Sequence, residues 1–132
     1  MTMIQQSLNR FNQLLGIRIE REDETGCVAT IEIRPEHWNS IEGVIHGGIT
    51  STLADVAMGF GAAPHVDGVQ QSVTVESKIH YLSPARGKRL TAKSNVLKSG
   101  RKIIVMEAKV FDEGGKMIAV ATGTYARVSS KA

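Results

Sequence analysis

Cysteine is nearly absent from this chain: among 132 residues there is one, Cys27, so no internal disulfide staples the fold. It sits in the alternating run Cys27-Val28-Ala29-Thr30-Ile31, which predicts a buried and inert thiol. Aromatic residues make up 5% of the chain. Single-strand binders of nucleic acid interleave stacking rings with their basic residues, and that pairing is missing here. The net charge of +3 is carried by Lys and Arg spread from Lys78 to Lys102, around strand ends. That distribution suits a small polyanion or a solvated rim, and nucleic acid is not an expected partner. No stretch approaches the ~20 apolar residues that span a bilayer. The opening Met1-Thr2-Met3-Ile4-Gln5-Gln6-Ser7 lacks a basic segment followed by an apolar one. The expectation is a cytoplasmic protein with no membrane partner.

What is present is ordinary globular material, 42% hydrophobic and 22% charged, enough for one domain over residues 1–132 with a core of its own. Ile4, Leu8, Phe11, Leu14 and Leu15 recur at helical spacing. Short alternations follow at Ile17–Glu20 and Cys27–Ile33, divided by the turn-prone Asp23-Glu24-Thr25-Gly26 and closed by Pro35. After residue 64 the chain reads as long strands, Val69–Tyr81, Leu90–Lys98, Lys102–Phe111 and Met117–Val128. Short turns at Ser99-Gly100-Arg101 and Asp112-Glu113-Gly114-Gly115 join the last three as hairpins. The order predicts an α+β fold, one central helix covered by an antiparallel sheet, and disfavours a parallel nucleotide-binding sheet.

The central helix carries the chemistry. Between Val44 and Pro64 there is one formal charge, Asp55, and one other titratable group, His46. At about 100° per residue, Ile49, Leu53, Val56 and Phe60 form a core stripe within roughly 60°. Asp55 points away from it, on a side shared with Gly48, Ser51, Thr52, Met58 and Gly59. A carboxylate in so apolar a helix is costly unless it is paired or has a task. It reads as a functional acid, or as an Asp satisfied by Ser51, Thr52 and a neighbouring strand. The helix begins at His46-Gly47-Gly48, where free N–H groups and the helix dipole suit an oxyanion. His46 reads equally as a capping residue or as a participant. No metal site and no cofactor is assigned.

The run from His46 to Asp55 resembles the HGG-x(6)-D helix of hotdog-fold acyl-CoA thioesterases of the phenylacetate-degradation type. The stretches Lys78-Ile79-His80-Tyr81-Leu82-Ser83-Pro84-Ala85 and Ala119-Val120-Ala121-Thr122-Gly123-Thr124 resemble that family's later strands. The resemblance covers about Leu8 to Val128. It implies a hotdog fold, a homo-oligomer (a dimer or a dimer of dimers), an acyl-CoA substrate, and a site between protomers. It further implies that the Gly47 amide polarises the thioester carbonyl, with Gly48 beside it. Asp55 of the partner would serve as nucleophile or general base, Thr74 would orient water, and His46 would support the Gly47 loop. Relatives carry Asn or Gln six residues before the His; here that position is Ser40, with Asn39 one earlier as a candidate for substrate binding. Lys98 and Arg101 are candidates for the CoA phosphates. Helix residues Met58 and Phe60, with Ala62-Ala63-Pro64-His65, are expected to shape the acyl pocket. The competing reading is a non-catalytic acyl-CoA sensor; the pattern of a hotdog dehydratase is not found.

Overall fold

A computed structural model describes residues 9–128 of the chain, and the expected helical residues from Ile4 to Leu8 lie outside them. The described chain runs α1 (Arg10–Leu15), β1 (Ile17–Asp23), β2 (Gly26–Glu32), a 3-10 turn (Pro35–His37), α2 (Gly47–Ala62), β3 (Ser72–Tyr81), β4 (Arg89–Ser99), β5 (Ile103–Asp112) and β6 (Met117–Arg127). The six strands form one antiparallel sheet in the order β1-β2-β4-β5-β6-β3, wrapped on α2. This is the hotdog arrangement. Among the described residues no helix is long and apolar enough to cross a membrane.

The strands follow from alternation. In β5, Ile104, Met106, Ala108 and Val110 are buried and alternate with more exposed neighbours, so one face of the sheet meets the helix. Helix α2 contributes Leu53, Ala54, Val56, Ala57, Met58 and Phe60 to the same core, with Ile49 partly buried against it. It packs chiefly on β2, β4 and β5. A glycine near its end lets it approach closely. A Cβ at Gly61 would stand 2.6 Å from Ser94 Oγ and 2.8 Å from Met106 Cε. Buried Ser94 ties the layers together, donating to Ala57 O at 2.6 Å and accepting from Cys27 N–H at 3.1 Å. Cys27 is wholly buried, and burial pushes its thiol up to about 12, as expected of an inert cysteine.

Two elements bury less than their patterns suggest. In helix α1, Leu15 packs partly against the core, while Phe11 and Leu14 are exposed and Asn12 is buried. Six residues, capped by Asn9 and by Gly16 with φ +85°, are too few to build an amphipathic stripe. Likewise, β3 alternates in sequence but buries little. Val73, Val75 and Tyr81 are about half exposed, because β3 is an edge strand beyond most of the cover that α2 provides.

Candidate active site

The loop before α2 is held by a buried histidine. His37 Nδ1 accepts the Arg34 N–H at 3.0 Å, and its Nε2 reaches Leu15 O at 3.0 Å. Burial lowers its pKa, consistent with a neutral ring. From there, His46 N–H donates to His37 O and Ile45 N–H to Ala85 O, which fixes where α2 starts. His46 is the N-cap: its Nδ1 accepts the Gly48 N–H at 2.8 Å. An Nδ1 used as acceptor leaves the proton on Nε2 of the neutral ring. The structure thus gives His46 the capping role, with the Gly48 N–H as its donor.

Gly47 is different. Its N–H has no acceptor among the described residues, as expected of a first helical position. Its carbonyl accepts the Tyr81 hydroxyl at 2.9 Å. Gly47 opens on a cavity of about 370 Å³ lined by Ile45, Thr50, Tyr81, Leu82, Ser83, Pro84, Ala85 and Ile118.

Asp55 lies eight positions further along α2, about 12 Å by helical rise, and is half-buried where deep burial was expected. Its partners are also not those the helix suggested. Ser51 and Thr52 hydroxyls donate back to Gly48 O. Asp55 Oδ1 instead accepts from Thr74 Oγ1 at 2.8 Å and from Tyr125 Oη at 2.7 Å. Strand pairing explains the convergence, since Thr74 on β3 faces Tyr125 on β6. Tyr125 is 1% exposed, and burial together with the Asp55 charge raises its pKa far above the usual phenol value. It is therefore a fixed donor. Oδ2 takes no hydrogen bond among the described residues, and Asp55 lines a second cavity of about 180 Å³ with the polar Asn9, Asn12, Thr52, Gln70 and Thr74 and with Phe11, Val56, Gly59 and Phe60.

The structure therefore unites Asp55 with Thr74 and adds Tyr125, which sequence reasoning missed. No local signal marks a tyrosine 70 positions away; the register of the last strand is what delivers it. Other candidates stand apart. Asn39 turns its Oδ1 onto the Ile41 N–H at 2.7 Å inside its own loop. Lys98 pairs with Val105, Val105 with Thr124, and Thr124 with Glu76. That row neighbours the row Ser99-Ile104-Tyr125-Thr74, so it faces the side of the sheet away from α2. Arg101 is exposed at the same hairpin tip. Of the residues expected to shape the acyl pocket, Phe60 lines the Asp55 cavity and lies tilted against His65 at 3.4 Å between ring centroids, whereas Met58 is buried near Gly123 and Tyr125.

The chain belongs to the thioesterase superfamily, whose family model matches residues 42–119. It is 30% identical over 129 residues to the medium/long-chain acyl-CoA thioesterase YigI of Escherichia coli, covering 87% of this chain and 83% of that protein. A solved structure of a conserved protein from Pseudomonas aeruginosa is 30% identical, with a TM-score of 0.82 over 92% of this chain and 95% of that one. The phenylacetic acid degradation protein PaaI of Thermus thermophilus is 25% identical, with a TM-score of 0.78 over 91% and 100%.

Proposed function

We propose that the chain is a single catalytic domain that hydrolyses acyl-CoA to free acid and CoA, at sites shared between two copies of itself. The observation that carries this reading is the carboxylate of Asp55, with Oδ1 held by two hydroxyl donors and Oδ2 left without one. The Gly47 N–H supplies the oxyanion donor, His46 caps the loop that presents it, and Thr74 and Tyr125 orient the acid.

Two features support a shared site. Within one chain, the backbones of Gly47 and Asp55 are about 12 Å apart along the helix and the two residues line different cavities. Strand β3 is an edge with half-exposed Val73, Val75 and Tyr81, open to pairing with another strand. Antiparallel pairing of β3 with its own copy brings the Thr74 end of one chain to the Tyr81 end of the other. The Asp55 cavity then meets the partner's Gly47 cavity, in a dimer that itself pairs into a dimer of dimers. Lone Cys27 suits a reducing compartment, and we place the enzyme in the cytoplasm.

In the reaction the thioester carbonyl oxygen accepts the Gly47 N–H. Asp55 Oδ2 takes a proton from water as its oxygen attacks the carbonyl carbon; the C–S bond breaks, and the CoA thiolate leaves and recovers that proton. Direct attack by Oδ2 instead gives an anhydride that water then opens, and a single turnover in heavy-oxygen water separates the two by whether label enters Asp55. Lys98 and Arg101 remain the residues proposed to meet the CoA phosphates, from the rim of the sheet, and Asn39 to approach the substrate from the loop before His46. The test is release of free CoA from a panel of acyl-CoAs by wild type and Asp55→Asn. A fall of about 100-fold or more is expected from losing such a group. Equal rates contradict the role of Asp55, and saturable binding without turnover in the wild type identifies a sensor instead.

A further inference from the structure

Helix α2 opens on two glycines, Gly47 and Gly48, and glycine loses more backbone freedom on ordering than any other residue. The end of the helix that presents the Gly47 N–H is therefore soft by composition. Gly48 is held from within the segment: its N–H goes to His46 Nδ1 at 2.8 Å, and its carbonyl accepts the Thr52 hydroxyl at 2.7 Å. Gly47 is held from the sheet. The Tyr81 hydroxyl donates to the Gly47 carbonyl at 2.9 Å. The tyrosine ring backs the same residue, since a Cβ built on Gly47 would stand 3.4 Å from ring Cε1 and Cζ. Tyr81 is itself firmly anchored. It ends β3 opposite Ala119 of β6, and the next residue, Leu82, donates its N–H to Ile118 O at 2.8 Å. Both Ala119 and Ile118 are buried.

Resting on the reading of Gly47 as the oxyanion donor, we propose that Tyr81 is a positioning residue for the hydrolysis, holding the Gly47 backbone so that its N–H keeps one direction. Only φ and ψ of Gly47 separate its N–H from its carbonyl, so restraining the carbonyl and the Cα restrains the swing of the N–H. The tie matters because a preorganised donor stabilises developing charge with no reorganisation at the moment of reaction. Small displacements of such a group cost rate steeply. Tyr81 touches no reacting atom in this role; it acts through Gly47. Since that donor acts on charge that develops in the transition state, the contribution falls on kcat. The arrangement also links assembly to chemistry. Strand β3 is the edge proposed to pair with its own copy, so the strand that forms the dimer also sets the oxyanion donor.

Tyr81→Phe keeps the ring and removes the hydroxyl. The net strength of one such hydrogen bond corresponds to about 3- to 10-fold, so kcat for acyl-CoA hydrolysis should fall by that factor with KM nearly unchanged. Gly47→Pro, which deletes the N–H at a helix position that accepts proline, isolates the route. In that background Tyr81→Phe should lower kcat no further, because the group it positions is already gone. By nitrogen relaxation NMR, the order parameter of the Gly47 amide should fall in Tyr81→Phe, with that of Gly48, held by His46, changing less. The positioning role is overturned if kcat is unchanged in Tyr81→Phe, or if the same fall appears with and without the Gly47 N–H. It is overturned equally if the order parameter of Gly47 does not move. A wild-type rate in Gly47→Pro would instead overturn the oxyanion reading, while the Gly47 order parameter would still report whether Tyr81 holds that residue.

Discussion

The Tyr125 hydroxyl donates to Asp55 Oδ1 at 2.7 Å, joining the last strand to the central helix across 70 positions of sequence. Thr74 reaches the same oxygen from the edge strand. The carboxylate is thereby fixed in rotation with its second oxygen left for chemistry. Tyr125→Phe removes one donor from a partly buried charge, an interaction worth about 1.5–3 kcal/mol. Expected are a fall in kcat of about tenfold or more, little change in KM, and a modest loss in the urea midpoint. An unchanged kcat would show that Tyr125 holds the fold and does nothing for the acid.

Gly47 can be tested by deleting its donor alone. Proline is accepted at the first position of a helix, and His46, with φ −59° and ψ 134°, already has the extended conformation that precedes proline. Gly47→Pro should keep α2 and lower kcat by about 100- to 1,000-fold, the usual cost of losing one oxyanion donor. Gly47→Ala keeps the N–H, although its Cβ would stand 3.4 Å from the Tyr81 ring, so its loss should be much smaller. Circular dichroism of both variants checks that the helix persists.

Gly61 tests how closely helix and sheet approach. A methyl there meets Ser94 Oγ, Met106 Cε and, at 3.1 Å, the Gly26 Cα. Alanine gains up to about 1 kcal/mol in helix propensity, but overpacking a tight core costs about 1–3 kcal/mol, and two close contacts favour the upper end. Gly61→Ala should be destabilised in urea denaturation, where a surface helix would be stabilised by the same change.

Buried His65 gives a pH dependence of stability. Its side chain is 1% exposed, lies 3.6 Å from Glu22, and burial lowers its pKa to about 4. The unfolded chain binds this proton near pH 6.5 and the folded chain near 4, so stability from His65 is fully present above about 6.5 and is lost as pH falls toward 4. Glu22, raised by burial, acts in the opposite sense, losing stability as pH rises above its unfolded value. The comparison of wild type with His65→Leu isolates the histidine. From pH 7 to 4 the wild type should lose up to about 3 kcal/mol relative to the variant. A constant difference would contradict this.

Much of this architecture is legible in the sequence because it rests on local signals. Strand alternation, the Gly100 and Gly114-Gly115 turns and the long run without proline before Pro64 place β4, β5, β6 and α2 within a few residues of where they lie. The His46-Gly47-Gly48 start and the lone Asp55 mark the candidate site from periodicity and charge. What sequence does not carry is register. Thr74 and Tyr125 meet Asp55 because β3 pairs with β6, and Lys98 faces away because of its place in the β4–β5 ladder. The exposure of β3 depends on its position at the sheet edge, which alternation cannot report.

The central claim is that one chain's Gly47 works with the other chain's Asp55, and subunit complementation tests it most directly. Gly47→Pro and Asp55→Asn proteins, each nearly inactive, are co-expressed in equal amounts and assayed for CoA release. A mixed dimer has one site with both defects and one with neither. Random assembly should therefore restore about a quarter of wild-type activity. Activity no greater than the sum of the two parents would place Gly47 and Asp55 in the same chain's site and contradict the account.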